Sequence, residues 1–412
     1  KSATVLGLAK SYTVQLNGNQ LPSYPPLSIM MFSSVGHVYR AVWSPSFNDK
    51  ALAFHIAIKL PAIFADLAIC VLLFLFLRPW SLRLGMLGAF LYAIHPAAIY
   101  DTAIWGQTDS IYTLAMFASA FLATRMRWKM AGALLAAGCL LKPQAIAIVP
   151  LIFFAAWAVK PRAVLQLLLG GTITTVVILL PFVLGGVLPE VLSVYGKTVG
   201  HYFSGVTNGA YNLWFSLYSN RTGMRDTELF FGIVSYRTVG MALFMGVLLY
   251  IAKISRPALR VVHGYENVRT LAVMLACALS CQAFFVLLTQ MHERYLFAFV
   301  ALGLPLLLTG RRGVALYSTV TLLFWFNMFD MFPIGGPRVI AFLHEFPSRT
   351  AFAASAQVFC LILTLLHVRA YLASAAPPQK EGRAKKMLRR FWKPFQRVWR
   401  NFLTVYIPEP RQ

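Results

Sequence analysis

Three consecutive ionisable residues, His292-Glu293-Arg294, stand between two apolar runs, and Lys142 interrupts another in Leu141-Lys142-Pro143-Gln144. Arginine presents a planar fork of donors and lysine a compact cation, so the two together suit a phosphate group. Carboxylates are scarce: Asp and Glu total 13 of 412 residues. Charge inside an apolar run costs several kcal/mol and usually marks function. Chain distance from the nearest arginine or lysine cluster gives the depth of each such group, at about 1.5 Å per helical residue. Asp66 lies twelve residues before Arg78, roughly 18 Å deep. Lys142 lies thirteen after Lys129, roughly 20 Å deep. Asp101, His292 and Asp330 come out roughly 27–29 Å from Arg83, Arg311 and Arg312, the far edge of an apolar layer about 30 Å thick. A channel or transporter needs polar groups along a path to both sides. Crowding toward one face favours chemistry on a substrate held in one leaflet, and a lipid phosphate carrying a sugar presents both an anion and hydroxyls there.

The elements that must position these groups are apolar helices. The chain is 58% hydrophobic and 12% charged, against roughly 25% charged in soluble domains, and its mean hydropathy is +0.66. This pattern predicts an all-α, polytopic transmembrane bundle. Apolar runs predict helices over 58–77, 84–101, 109–124, 163–187, 228–252, 268–290, 294–310, 314–334 and 350–370. Between 130 and 158 the pattern predicts two shorter helices, because Pro143 ends or kinks the first. Segment 28–44 reads as a helix on the membrane surface.

Basic residues fall at alternate turns: Arg78 and Arg83; Arg125, Arg127 and Lys129; Lys160 and Arg162; Lys253, Arg256 and Arg260; Arg311 and Arg312. The positive-inside rule makes these turns cytoplasmic. Residues 1–57 then become an extracytoplasmic loop, and a further transmembrane helix is expected upstream of Lys1. Residues 58–370 form the bundle, with an outer loop at 188–227. Residues 371–412 form a cytoplasmic basic tail whose segment 383–403 is amphipathic, suited to anionic lipid or to a membrane-protein partner. The net charge of +24 comes from these turns and the tail. No basic polar domain is present, which excludes nucleic acid as a partner. The five cysteines all sit in apolar stretches and read as free thiols. The outer loop also carries the sequon Asn220-Arg221-Thr222.

Six strings occur in order: SYPPLS at 23–28, KLPAIFADLA at 59–68, HPAAIYDTAIWGQTDSIY at 95–112, LKPQAIAIVP at 141–150, YNLW at 211–214 and QMHERYLFAF at 290–299. Together they resemble the GT-C glycosyltransferases that use polyprenyl-phosphate sugars, chiefly bacterial mannosyltransferases related to GPI mannosyltransferase II. Similarity to the dolichyl-phosphate-glucose glucosyltransferases is more distant. The resemblance implies a GT-C bundle of about 11 or more helices with extracytoplasmic loop helices, multi-pass in a bacterial inner membrane. It implies transfer of a hexose, with mannose favoured, from a polyprenyl-phosphate sugar to an extracytoplasmic acceptor hydroxyl.

Carried onto this sequence, His292, Arg294 and Lys142 contact the donor phosphate, with Glu293 orienting them. Tyr24, Asp101, Trp105, Gln107, Asp109, Asn212 and Trp214 serve the sugar and acceptor. Such enzymes take a general base from a carboxylate of the first outer loop. Residues 1–22 hold no Asp or Glu, so the base is unassigned, with Asp101 and Asp66 as the remaining candidates. No cofactor is expected beyond the lipid-phosphate sugar as co-substrate, and a divalent metal is not favoured, since Asp and Glu are so few in the chain.

Structural readings stand beside these. Asp66 can pair with Lys59 or Lys142. Asp109 can cap a helix, and Gln107 and Asn212 can satisfy loop backbone. Tyr211 and Trp214 can be interfacial aromatics, His95 can be structural, and Asp330 can be a solvated rim residue. Two functional alternatives also remain: a non-catalytic GT-C-like structural subunit of a larger membrane complex, and a lipid or solute transporter.

Overall fold

The computed structural model describes residues 1–16, 21–48, 50–200, 205–218, 223–260, 266–334 and 347–375. The amphipathic segment 383–403 and the sequon at 220–222 lie outside the described residues. Helix α1 (Ser2–Leu6) and α2 (Pro26–Val42) precede α3 (Leu52–Leu77). Pro26 opens α2 where a missing N–H costs nothing. Ser81 then caps α4 (Leu82–Ala93) by accepting from Leu84 N at 3.0 Å. His95 Nδ1 accepts from Ala97 N at 3.2 Å to start α5 (Pro96–Ile99), so His95 is a capping residue. Helix α5 runs into a wide π-helical turn, Tyr100–Trp105, closed by Gly106 in the left-handed region.

Helices α6 (Asp109–Thr124) and α7 (Trp128–Leu141) form a hairpin. A 3-10 stretch, Pro143–Ile148, leads to α8 (Val149–Val159), α9 (Pro161–Leu184) and α10 (Leu188–Gly200). After α10 come α11 (Leu213–Tyr218) and an antiparallel hairpin, β1 (Leu229–Phe230) with β2 (Val234–Ser235). Then follow α12 (Tyr236–Leu259), α13 (Glu266–Leu287), α14 (Phe297–Leu302) with a 3-10 turn, Leu304–Thr309, α15 (Arg311–Met331) and α16 (Pro347–Ala375).

Among the described residues six helices are long and apolar enough to cross a bilayer, the mark of a multi-pass membrane protein. The pair Leu82–Ala93 and Pro96–Trp105, bent by 43°, makes up to seven. Helix α13 is almost wholly buried, as an all-round apolar helix must be in the centre of a bundle. Helices α9, α12 and α16 expose large apolar side chains such as Leu165, Val177, Leu249 and Phe352, faces suited to lipid.

Three boundaries differ from the apolar pattern. The run at 228–252 begins with the β-hairpin, and Ser235 delays the helix to Tyr236 by capping Thr238 N. The run at 84–101 bends at the His95-Pro96 step. The run at 294–310 starts only at Phe297 and divides at Gly303 into α14 and a 3-10 turn, whereas α6 fills 109–124 and α7 and α8 are the two shorter helices expected. Nor do residues 1–57 form a layer of their own. Ser28 Oγ donates to Leu141 O at 2.7 Å, and Tyr12 packs edge-on against Phe182.

Two glycines allow α7 and α9 to touch backbone to backbone. A Cβ at Gly170 would lie 1.8 Å from Lys129 O, and one at Gly132 would lie 2.0 Å from Leu167 O. Small residues of this kind allow close helix approach in membranes. Gly170→Leu is therefore expected to force the pair apart and cost on the order of 1–3 kcal/mol, read as a lower Tm in detergent. Gly171→Ala, whose Cβ would find Gly132 O at 3.5 Å, should leave Tm unchanged.

Candidate functional site

Matched helix lengths bring the first pair of charges together. Helix α6 rises from Asp109 and α7 returns to Leu141. The hairpin is pinned by Ser119 Oγ donating to Ala131 O at 2.8 Å. Lys142 follows the last residue of α7, so it ends beside the first residue of α6. Its Nζ lies 2.5 Å from Asp109 Oδ1, and the Asp109 carboxylate is fully buried. Asp109 follows the N-cap Thr108. It is thus an ion-pair partner placed at the positive end of the α6 dipole, not the cap itself.

A second cation reaches the same carboxylate. Arg294 Nε lies 3.7 Å from Asp109 Oδ2, and Arg294 Nη1 donates to Glu293 Oε1 at 2.8 Å. His292 Nδ1 stands 3.6 Å from Glu293 Oε2. Burial alone pushes the Glu293 carboxyl up, but the His292 hydrogen bond and the Arg294 charge outweigh it and hold the group below its ordinary range. Burial likewise disfavours the Arg294 cation, and Asp109 and Glu293 more than restore it. The guanidinium lies 5.9 Å from the Trp105 ring centre and 5.6 Å from that of Tyr295. Trp105 is itself stacked on Phe332, with centroids 5.0 Å apart and planes within 5°. Asp101 is fully buried, and neither of its carboxylate oxygens has a hydrogen-bond partner among the described residues. It feels the charges of Asp109, Lys142 and Arg294. The cluster thus brings together two basic side chains, Lys142 and Arg294, and three acidic ones, Asp101, Asp109 and Glu293.

Tyr24 and Gln107 line a cavity of about 400 Å³ together with Pro22, Phe32, Gly106 and Thr108. This volume is in the range of small-ligand sites. Residues 106–108 join Trp105 to Asp109, so the cavity and the ion cluster share one loop.

The other expected residues are placed differently. Asp66 accepts from Tyr92 Oη at 2.8 Å and lines a separate cavity of about 130 Å³. The pairing expected with Lys59 or Lys142 is not made. Lys59 Nζ donates to Ala103 O at 2.8 Å, at the end of the π-helical turn, and Lys142 is held by Asp109. Asn212 accepts from Trp214 N and Phe215 N and donates to Leu288 O. Trp214 is buried and donates from Nε1 to Leu287 O at 3.0 Å. Their polar atoms are engaged by main chain, so both fasten the start of α11 to the end of α13. Burial also removes Trp214 and Tyr211 from an interfacial belt. Tyr211 Oη donates to Asp330 Oδ2 at 2.8 Å, which gives Asp330 a partner at the rim.

The sequence pattern gave no hint of Asp226, which secures the His292-Glu293-Arg294 turn from the other side. Its buried carboxylate accepts both Arg237 Nε and Nη2, at 2.8 and 2.9 Å. Thr289 Oγ1 and Gln290 Nε2 donate to it at 3.0 and 2.8 Å. Gln290 holds a left-handed φ of 62°, and its N–H donates to Val206 O while Asn208 N donates to Met291 O. Scarcity was the only available signal, since few carboxylates exist in the chain. Asp226→Ala is expected to cost about 3 kcal/mol by leaving these donors unpaired. Thermal unfolding would show this, with faster proteolysis at 223–237; an unchanged Tm would contradict the fastening role.

Among the described residues no three His, Cys, Asp or Glu side chains converge as a metal site. Comparison with protein-family models and with curated proteins gives no match.

Proposed function

We propose that this membrane protein is a glycosyltransferase of GT-C type, moving a hexose from a polyprenyl phosphate to an acceptor hydroxyl on the extracytoplasmic side of a bacterial inner membrane. Mannose is the favoured hexose. One observation carries the reading: Lys142 and Arg294, from distant segments, reach opposite oxygens of the buried Asp109. They do so on the loop that also lines the cavity of Tyr24 and Gln107. In this reading the donor phosphate takes Lys142 and Arg294 from Asp109, and Trp105 flanks the sugar. The acceptor oxygen bonds to the sugar C1 as the bond from C1 to the phosphate oxygen breaks. The hydroxyl proton passes to the released Asp109 carboxylate, and the polyprenyl phosphate leaves.

The internal pairing of the cluster favours a second reading. Two cations already satisfied by Asp109 and Glu293 also suit a non-catalytic subunit in which the charges only lock helices together. Purified protein incubated with radiolabelled polyprenyl-phosphate mannose or glucose, and with membrane extract as acceptor, separates the two. The enzyme reading predicts label in a product and loss of that label in Asp109→Asn. Absence of product with both donors in well-folded protein would reject it in favour of the structural subunit.

A further inference from the structure

A second cationic cavity lies at the opposite end of the α6–α7 hairpin. Helix α6 has 16 residues, so this end is roughly 24 Å along the axis from Asp109. The cavity measures about 220 Å³ and sits between the segment after α3, the α6–α7 turn and the first turn of α13. Arg125 and Arg269 line it, with Phe76, Trp80 and Phe121 as aromatic walls. The Arg125 guanidinium lies 5.3 Å from the Phe121 ring centre. It follows α6 in a turn where Met126 takes a left-handed φ of 59°. Arg269 Nε is buried with no hydrogen-bond acceptor among the described residues, although a buried guanidinium N–H left unmade costs stability. The positive end of the 22-residue helix α13 faces the same space. Glu266 also lines it, so the two guanidiniums outnumber the one carboxylate.

We propose that this cavity binds the phosphodiester headgroup of an anionic membrane lipid. Phosphate oxygens take the Arg269 Nε–H and the Arg125 fork. The aromatic walls, at the ends of the apolar helices α3 and α6, receive the glycerol and the first acyl carbons. An inorganic phosphate would meet the same donors but gain nothing from those walls. The inference does not depend on the proposed transferase activity.

Purified protein in dodecyl maltoside micelles, which carry no phosphate, provides the test. Addition of phosphatidylglycerol should raise Tm by several degrees, and inorganic phosphate should not. Arg125→Gln/Arg269→Gln should lose most of that rise. Arg311→Gln/Arg312→Gln, which removes equal charge elsewhere, should keep it. Were the first double variant unable to fold, Arg269→Lys would serve, since it retains charge but lacks the buried Nε–H; it should lose at least half of the rise. An equal rise in all variants, or equal loss in both double variants, would overturn the site. A full rise with inorganic phosphate alone would overturn the lipid as its source.

Discussion

Lys142→Met is expected to lower stability by about 3–5 kcal/mol, because it leaves the Asp109 side chain fully buried and stripped of its nearer partner. The geometry makes the effect large. Lys142 is itself nearly excluded from solvent, with 9% of its side chain exposed, and Asp109 has none exposed. Water therefore cannot replace the lost cation. Arg294 Nε at 3.7 Å offers only a long contact as compensation. Lys142→Met/Asp109→Asn, which removes both charges, should recover most of the loss. Chemical denaturation of wild type and the two variants in the same detergent would check this. A Lys142→Met protein as stable as wild type would show that the pair contributes little to the fold.

Arg294→Gln is expected to reduce hexose transfer from the lipid donor on the order of 100-fold or more, the scale seen when one preorganised charge-stabilising donor is removed. Its fork already spans Glu293 and the approach to Asp109, and Trp105 and Tyr295 flank it. Arg294→Lys keeps the charge but loses the planar fork, so it should recover only part of the rate. Comparing kcat/KM well below each variant's Tm separates chemistry from folding. If both variants transfer at the wild-type rate, Arg294 has only a packing role. Glu293 should behave differently from Arg294, because it orients the cation and would not touch the phosphate.

The arrangement of helices was legible because apolar runs and their polar interruptions report local burial. Lys142-Pro143-Gln144 broke the pattern where α7 ends, and the basic turns marked helix ends. The same chain-distance ruler, applied to Asp109 as well as Lys142, puts both near one level, since Asp109 lies sixteen residues before Arg125. Their pairing was therefore within reach of the sequence. Partners set by tertiary approach were not. Asp66 turns to Tyr92, and Lys59 turns to main-chain carbonyls, choices that depend on how α3 rotates against α4. Asp226 gave no signal from spacing, because its four donors come from residue 237, eleven positions on, and from the distant residues 289 and 290, in no periodic pattern. Asn212 and Trp214 illustrate the converse. Their types suit sugar contact, yet the end of α13 offers unsatisfied carbonyls at Leu287 and Leu288, and these take their donors first.

The central claim is that the Lys142–Asp109–Arg294 cluster receives the phosphate of a lipid-linked sugar. Photo-crosslinking with a polyprenyl-phosphate hexose bearing a diazirine next to the phosphate tests it most directly. Adducts mapped by mass spectrometry should fall within residues 105–109, at 142 and within 292–295, and unlabelled donor should compete them away. Competable adducts confined to the Arg125 and Arg269 end, with none in those segments, would contradict the account.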